Sequence, residues 1–416
     1  MMRIGVITAT RAEYGLLRPV IEELRKYESD EIRIDLIVTG THLSQDYGMT
    51  VSEIESDGLR IDHRIPIPTA SSSPRDISDD QAKTLIAFTD HFSDVSYDAV
   101  MILGDRYEML MVAVAAMNTQ TPIIHLCGGD TTEGAIDEAV RHSITKMSYL
   151  HFPTDDESRR RIIQMGEAPD RVYNAGNTSI DNMVRMDLMD KDAALKSIDA
   201  DKWQKTGDCA LERAAGPSDD SVADTIDYAL CTYHPVTLEG ADVDGMMAEF
   251  LGVIELRPDI QFIVTKSNAD MGGSRINEIL DEAEERIANL HVYPSLGVLR
   301  YLSLMKHARL VMGNSSSGLY EAPALHVPTV NIGDRQKGRP RCASVIDCPP
   351  DKESILKAVE KALSADFAGV CQTVESPFGD GHAAEKIAKI SIDTVKNGID
   401  LKKRFYDLDK YRTERL

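Results

Sequence analysis

Apolar residues along this chain fall into short unbroken runs separated by stretches with helical spacing. Ile4-Gly-Val-Ile-Thr8, Ile34-Asp-Leu-Ile-Val38, Ala99-Val-Met-Ile-Leu103 and Pro122-Ile-Ile-His-Leu126 read as strands, each followed by an amphipathic helical pattern. Continuous rather than alternating apolarity means that both faces of a sheet are covered, as in doubly wound parallel α/β folds. The pattern lapses between Asp201 and Asp224, where turn formers dominate without any period. It then restarts with Tyr228-Ala-Leu-Cys-Thr232, Ile260-Gln-Phe-Ile-Val264, Leu290-His-Val-Tyr293, Leu310-Val-Met312 and Pro328-Thr-Val-Asn-Ile332.

The chain therefore reads as two successive α/β units of similar size. The first spans 1–176, a linker with a surface excursion covers 177–225, and the second unit spans 226–375. The turn cluster Pro377-Phe-Gly-Asp-Gly381 opens a last helix from about Ala383, and helices in 376–416 are expected to pack back on the first unit. Ligands of open parallel sheets bind outside the carboxyl ends of the strands, so two facing sheets would share one cleft.

Length and charge narrow the picture. At 416 residues two domains are the default, and 42 % apolar with 27 % charged residues is ordinary for a soluble globular chain. A formal charge of −22 argues against a nucleic-acid or anionic-membrane partner, so any anionic ligand must be met by a local cluster. No basic n-region with a long apolar stretch opens the chain, and no apolar run approaches the ~18 residues that span a bilayer. Six cysteines without CxxC spacing or paired histidines read as reduced thiols, with no metal site and no cofactor. The expectation is a cytoplasmic protein.

Candidate chemistry follows the strands. In Val311-Met-Gly-Asn-Ser-Ser-Ser-Gly-Leu-Tyr-Glu321 a buried run breaks into serines and then into an expected helix from Gly318. Unpaired N–H groups at such a turn, backed by a helix dipole, suit a phosphate or pyrophosphate. With Ser317 as N-cap, Glu321 would lie just past the capping-box position and be free to receive ligand hydroxyls. A sugar nucleotide offers both parts. Arg11 sits at the first strand-to-helix turn as a bidentate phosphate donor or as a solvated cap. Asp105 and Arg106, in Gly104-Asp-Arg-Tyr-Glu108, read as a cleft carboxylate with a cation, or as a helix N-cap. The stretch from His125 through Cys127, Gly128 and Gly129 concentrates Asp130, Glu133 and Asp137, suited to acid–base work or to an acidic helix start. His42, His234 and Asn268 also follow strands, and Arg335 opens a loop with four basic residues in seven positions. His234 fits a phosphate contact or proton carrier, though a lone histidine is more often structural.

Thr10-Arg-Ala-Glu-Tyr-Gly15, Gly104-Asp-Arg-Tyr-Glu108, Arg141-His-Ser-Ile-Thr-Lys146, Gly313-Asn-Ser-Ser-Ser-Gly318 and Ile332-Gly-Asp-Arg-Gln-Lys-Gly-Arg339, in that order, resemble the hydrolysing UDP-N-acetylglucosamine 2-epimerases, including those acting on UDP-N,N'-diacetylbacillosamine. The resemblance runs from Arg3 to about Ala384. It implies a GT-B-like fold of two Rossmann-type domains with the nucleotide in the interdomain cleft. It implies a reaction in which UDP leaves with loss of the proton on sugar carbon 2, giving a 2-acetamidoglycal. Water then adds with inverted configuration, releasing N-acetylmannosamine and UDP for sialic-acid-type sugars. On the matching positions it implies catalytic carboxylates at Asp105 and Asp137 and a cleft histidine at His234. It implies nucleotide contacts at Arg11, Arg106, Ser315, Ser316, Glu321 and Arg335, with Asn268 a weaker candidate, and a homodimer or homotetramer. The chain departs from the family at Cys127, where many relatives carry an acid–base Glu. Asp130, Glu133, a water or the Cys127 thiolate would then move the proton, a neighbouring carboxylate being favoured. Gly15 and Leu16 replace polar residues of animal relatives, which points to a microbial version. The nearest alternative keeps the reaction on UDP-2,4-diacetamido-2,4,6-trideoxyglucose; a non-hydrolysing epimerase and a GT-B glycosyltransferase are further ones.

Overall fold

The computed structural model describes residues 1–45, 48–69, 73–131, 136–203, 226–235, 242–267 and 273–408. They form two compact units, Met1–Val184 with the chain from Pro377 onward, and Arg185–Ser376.

The first unit begins β1 (Met2–Thr8), α1 (Arg11–Arg25), β2 (Ile32–Thr39), α2 (Val51–Ser56), β3 (His63–Ile65) and α3 (Pro74–Asp94). It continues β4 (Ala99–Leu103), α4 (Tyr107–Asn118), β5 (Ile123–Leu126), α5 (Ile136–Met147), β6 (Leu150–Phe152), α6 (Asp156–Gln164) and α7 (Thr178–Arg185). Its six strands are parallel in the order β3-β2-β1-β4-β5-β6. The unbroken apolar runs feed two cores. Ile4, Val6, Leu36 and Met101 pack with Leu17, Ile21 and Leu24 of α1 on one face. Ile7, Ile37, Val100 and Ile102 pack with Phe88, Val112 and Ala116 on the other. Each of these Val, Leu, Ile, Met and Phe side chains contributes about 2 kcal/mol when fully buried, which is why period-two polarity is absent from the central strands.

The second unit runs α8 (Lys191–Lys196), β7 (Tyr228–Thr232), α9 (Val243–Glu255), β8 (Gln261–Thr265), α10 (Gly273–Glu284), β9 (Leu290–Tyr293) and α11 (Gly297–His307). It closes with β10 (Leu310–Gly313), α12 (Glu321–Ala324), β11 (Thr329–Ile332), β12 (Val345–Cys348), α13 (Lys352–Ala362) and α14 (Ala365–Thr373). The strand order β12-β11-β10-β7-β8-β9 is that of the first sheet, read from the other edge. In both sheets successive strands are laid to one side and then to the other, with the reversal between β1 and β4 and between β7 and β10. At these switch points adjacent loops diverge and leave a crevice.

The last helix, α15 (Ala383–Lys396), belongs to the first unit. Ala384, Ile387, Ala388 and Ile392 join the α1 core. The buried Asp181 carboxylate accepts from the Ala383 and Ala384 amides at 3.1 and 2.7 Å, capping α15 from outside its own sequence.

Three differences from the sequence reading have clear causes. The edge strands β3, β6 and β12 are three or four residues long and partly polar (His63-Arg-Ile65, Leu150-His-Phe152, Val345-Ile-Asp-Cys348), too short for a periodic signal. Within the expected linker and surface excursion, residues 177–203 carry α7 and α8, and Trp203 stacks on His291 with ring centroids 3.9 Å apart. The remainder of that expected linker, 204–225, lies outside the described residues. After the serines no long helix forms. A single tight turn over Ser316–Gly318 precedes the four-residue α12, which contains Pro323 and ends before His326, a residue with φ +60°. Pro323 lacks an N–H and a four-residue helix has little macrodipole, so the expected helix dipole behind the serines is withdrawn. Among the described residues no helix is long and apolar enough to cross a membrane.

Candidate functional site

The first switch point is set by two tight turns. Thr10 caps α1, its hydroxyl accepting the Glu13 amide at 3.3 Å, while the Glu13 carboxylate accepts the Thr10 and Ala9 amides at 3.1 and 2.8 Å. After β4 the chain turns at Gly104, φ +78°, and presents Asp105 and Arg106 before α4. Helix α5 brings Asp137 and Arg141 to the same place, four residues apart on one face. The Asp105 carboxylate accepts from the Arg141 guanidinium, which also donates to the Asp130 carbonyl at 2.9 Å. Arg141 is buried, so this ion pair is largely screened from water.

Asp137 is exposed on α5 and within electrostatic reach of both members of that pair. Partial burial and then the Asp105 charge raise its carboxyl above the usual range, against the pull of Arg141 and Arg106. Two neighbouring carboxylates thus have different surroundings, one facing a guanidinium and one pushed toward holding a proton.

Cys127 sits at the end of β5 in the left-handed region, φ +60°. Burial first, then the Asp130 and Asp105 charges, push its thiol far up, so the thiolate alternative has no support. Asp130 takes the Thr154 and Ser158 hydroxyls on Oδ1 at 3.2 and 2.9 Å, and Ser158 also bonds Asp155, the N-cap of α6. It braces the loop against α6. Glu133 lies outside the described residues, as does Asn268.

Arg11 is solvent-exposed at the first residue of α1, with Nε 3.0 Å from Glu53, a surface pair that holds it weakly. Arg106 gives Nε to Glu108 at 2.6 Å. His42 does not fit a direct nucleotide contact. It is wholly buried, with Nε2 3.0 Å from Thr8 Oγ1 and Nδ1 2.8 Å from Thr50 Oγ1, and burial lowers its pKa to about 4. A neutral ring with both nitrogens engaged ties the end of β1 to the segment between β2 and α2 instead.

The second switch point is organised by Asn314. Its Oδ1 accepts the His234 amide at 2.7 Å and its Nδ2 donates to the His234 carbonyl at 2.8 Å, joining the ends of β7 and β10. The His234 ring rests with Nδ1 3.2 Å from Ser267 Oγ. The Asn314 carbonyl accepts from Arg335 at 3.0 Å and Gln336 at 2.8 Å, which brings the basic loop to the serines. Ser315, not Ser317, is the capping residue; Ser317 donates to Ser315 at 3.1 Å and meets Tyr301 OH at 2.7 Å. Glu321 opens α12 and is half-buried. The basic loop is narrower than its sequence suggests: Arg341 bonds Asp347, and Arg339 bonds Gln336 and faces the Tyr320 ring.

A family model described as UDP-N-acetylglucosamine 2-epimerase matches residues 24–391. The chain belongs to that family. The GDP/UDP-N,N'-diacetylbacillosamine 2-epimerase (hydrolyzing) of Campylobacter jejuni subsp. jejuni is 36 % identical, over 98 % of this chain and 99 % of the relative. The polysialic acid biosynthesis protein P7 of Escherichia coli is also 36 % identical, over 99 % of each. The Legionella pneumophila UDP-N,N'-diacetylbacillosamine 2-epimerase (hydrolyzing) is 31 % identical over 92 % of this chain and 94 % of its own. Among solved structures, the Neisseria meningitidis UDP-GlcNAc 2-epimerase bound to UDP-GlcNAc superposes with TM-score 0.72 at 18 % identity, covering 94 % of this chain and 100 % of that one. That likeness is one of fold: a GT-B-like chain with two six-stranded parallel sheets.

In this 2-epimerase-family chain, several site residues escaped the sequence reading. Arg141 was legible in principle, since it stands one helical turn from Asp137 on α5. Asn314 and Gln336 carry no local signal, because their partners are 80 and 22 residues away. Glu13 stands in the Thr10-Arg-Ala-Glu-Tyr-Gly15 motif, and the sequence alone assigns it no role. Burial raises it to about 7, with the Glu108 charge adding to the rise and its two backbone hydrogen bonds and Arg106 opposing it.

Proposed function

We propose that this chain is a hydrolysing 2-epimerase of a UDP-linked 2-acetamido sugar. The observation that carries the reading is the Asp105–Arg141 ion pair with Asp137, its carboxyl raised, beside it at the first switch point. Carbon 2 of such a sugar bears a poorly acidic proton, so departure of UDP must run ahead of its removal. Positive charge then develops at carbon 1 in the transition state. In the proposed first stage the C1–O bond breaks and its electron pair leaves with UDP. A C1=C2 double bond forms as a carboxylate takes the carbon 2 proton, and Asp137 is assigned that role because its raised carboxyl makes it a stronger base than an ordinary aspartate; the proton that later reaches carbon 2 on the other face comes from solvent. Asp105, aimed by Arg141, faces the developing cation. In the second stage water adds its oxygen to carbon 1 and gives up a proton, while carbon 2 receives one on the opposite face. Free sugar of inverted configuration and UDP result. His234, Ser315, Ser316 and Arg335 are assigned to the diphosphate and Glu321 to the ribose hydroxyls.

Two sugars suit the reaction. The family resemblance of the motifs points to UDP-N-acetylglucosamine; the names of the relatives at 36 and 31 % identity favour UDP-N,N'-diacetylbacillosamine. Purified protein is offered each in heavy water, with UDP, free sugar and deuterium at carbon 2 followed together. The reading expects UDP and free sugar in a ratio of one, with one deuterium on the product. Returned UDP-sugar would make the chain a non-hydrolysing epimerase, and UDP release only on adding an acceptor would make it a glycosyltransferase. Release of free sugar without deuterium would remove the elimination.

A further inference from the structure

His125 lies inside β5, wholly buried, two residues before Cys127. Its Nε2 is 2.8 Å from the Gly104 carbonyl oxygen, and a carbonyl only accepts, so Nε2 carries the hydrogen. Its Nδ1, bare in that tautomer, accepts from Thr145 Oγ1 of α5 at 3.2 Å, and the same oxygen, whose one hydrogen serves a single partner at a time, lies 3.0 Å from the Arg141 carbonyl. A side chain added at Gly128 would meet His125 Nδ1 at 2.8 Å and Thr145 Oγ1 at 2.9 Å, so the ring is wedged with no room to turn. One imidazole therefore touches the residue before Asp105, the glycine after Cys127, and the turn of α5 that follows Arg141.

We propose that His125 is a positioning residue for the epimerase reaction: its Nε2–H fixes the Gly104–Asp105 peptide, and its other edge fixes the part of α5 that presents Arg141. The need arises at Gly104. A glycine at φ +78° has no side chain to select one orientation of the next peptide, and turning that peptide would swing Asp105 away from Arg141. A hydrogen bond from a rigid ring selects one orientation. Burial lowers the ring's pKa to about 3, so it stays neutral and is not itself the proton carrier. The inference rests on the epimerase reading and adds a residue outside the substrate's reach to it.

The test compares wild type with His125→Leu and His125→Gln in the full chain. A glutamine amide can donate to the Gly104 carbonyl; leucine fills the space without a donor. The Leu variant is expected to lose on the order of 100-fold in kcat with KM within about threefold, as for a small misplacement of a reacting group. The Gln variant should recover most of that loss at equal Tm. Undiminished kcat in the Leu variant, or Gln no better than Leu, overturns the proposal. Ring nitrogen shifts of His125 in the wild type give a readout independent of turnover and of variant folding. A neutral Nε2–H tautomer down to about pH 4 is expected, and an Nδ1–H or charged ring at pH 6 overturns the assignment. Wild-type protein that releases no UDP would sink the epimerase reading, while the nitrogen shifts would still decide the Gly104 contact.

Discussion

Asn314 grips the main chain of His234 with both ends of its amide, accepting its N–H at 2.7 Å and donating to its C=O at 2.8 Å. Two residues 80 apart in sequence thereby bring the end of β10 to the end of β7. The same Asn314 presents its own carbonyl to Arg335 and Gln336.

Replacing Asn314 by leucine strips two buried main-chain groups of their partners. Each such loss costs roughly 1–3 kcal/mol, so thermal unfolding should move down by several degrees and UDP affinity should fall at least tenfold. Arg335→Ala should weaken UDP without moving the melting temperature, because Arg335 is exposed. Calorimetric titration and melting curves of the two variants check this; equal melting losses would deny the distinction.

Asp105→Asn keeps the shape of the carboxylate and removes the charge facing Arg141. Turnover should fall by roughly two to four orders of magnitude while UDP affinity stays within a few-fold. Steady-state kinetics beside equilibrium UDP binding decide it, and unchanged turnover takes Asp105 out of the mechanism.

Glu13 links stability to pH. Burial raises its native pKa from 4.5 to about 7, so between those values the folded chain holds a proton that the unfolded chain has released. Stability contributed by this group is complete below about pH 4.5 and is lost as pH rises through about 7, by on the order of 3 kcal/mol. Glu13→Gln, still able to accept from Ala9 and Thr10, should flatten that slope. Denaturant midpoints at pH 5 and pH 8 measure it, and a variant with the wild-type slope would refute the assignment.

Cys127 is expected to be chemically quiet. With its thiol pushed far up, alkylation at pH 8 should be much slower than that of a free thiol, and Cys127→Ser should keep turnover within about threefold. A large loss in the serine variant would mean that the sulfur acts after all. Cys127→Gly should also raise stability by roughly 1 kcal/mol, since glycine tolerates φ +60° without strain.

What the sequence determined by itself was local. Unbroken apolar runs named the central strands, and the Asp105, Asp137 and serine segments could be read because they follow those runs directly, although the caps expected at Ser317 and Asp105 did not form. The edge strands β3, β6 and β12 were not legible, since three or four half-polar residues carry no period. Tertiary structure alone decided the strand order, which puts the ends of β1 and β4, and of β7 and β10, side by side. It also decided what surrounds each candidate. It buried His42 between two threonines, turned Asp130 toward α6, cut the expected helix after the serines to four residues, and delivered Arg141 to Asp105 and Asn314 to His234. The reason is physical: burial and hydrogen bonding depend on neighbours that lie 34, 36 or 80 residues away, and no local pattern encodes them.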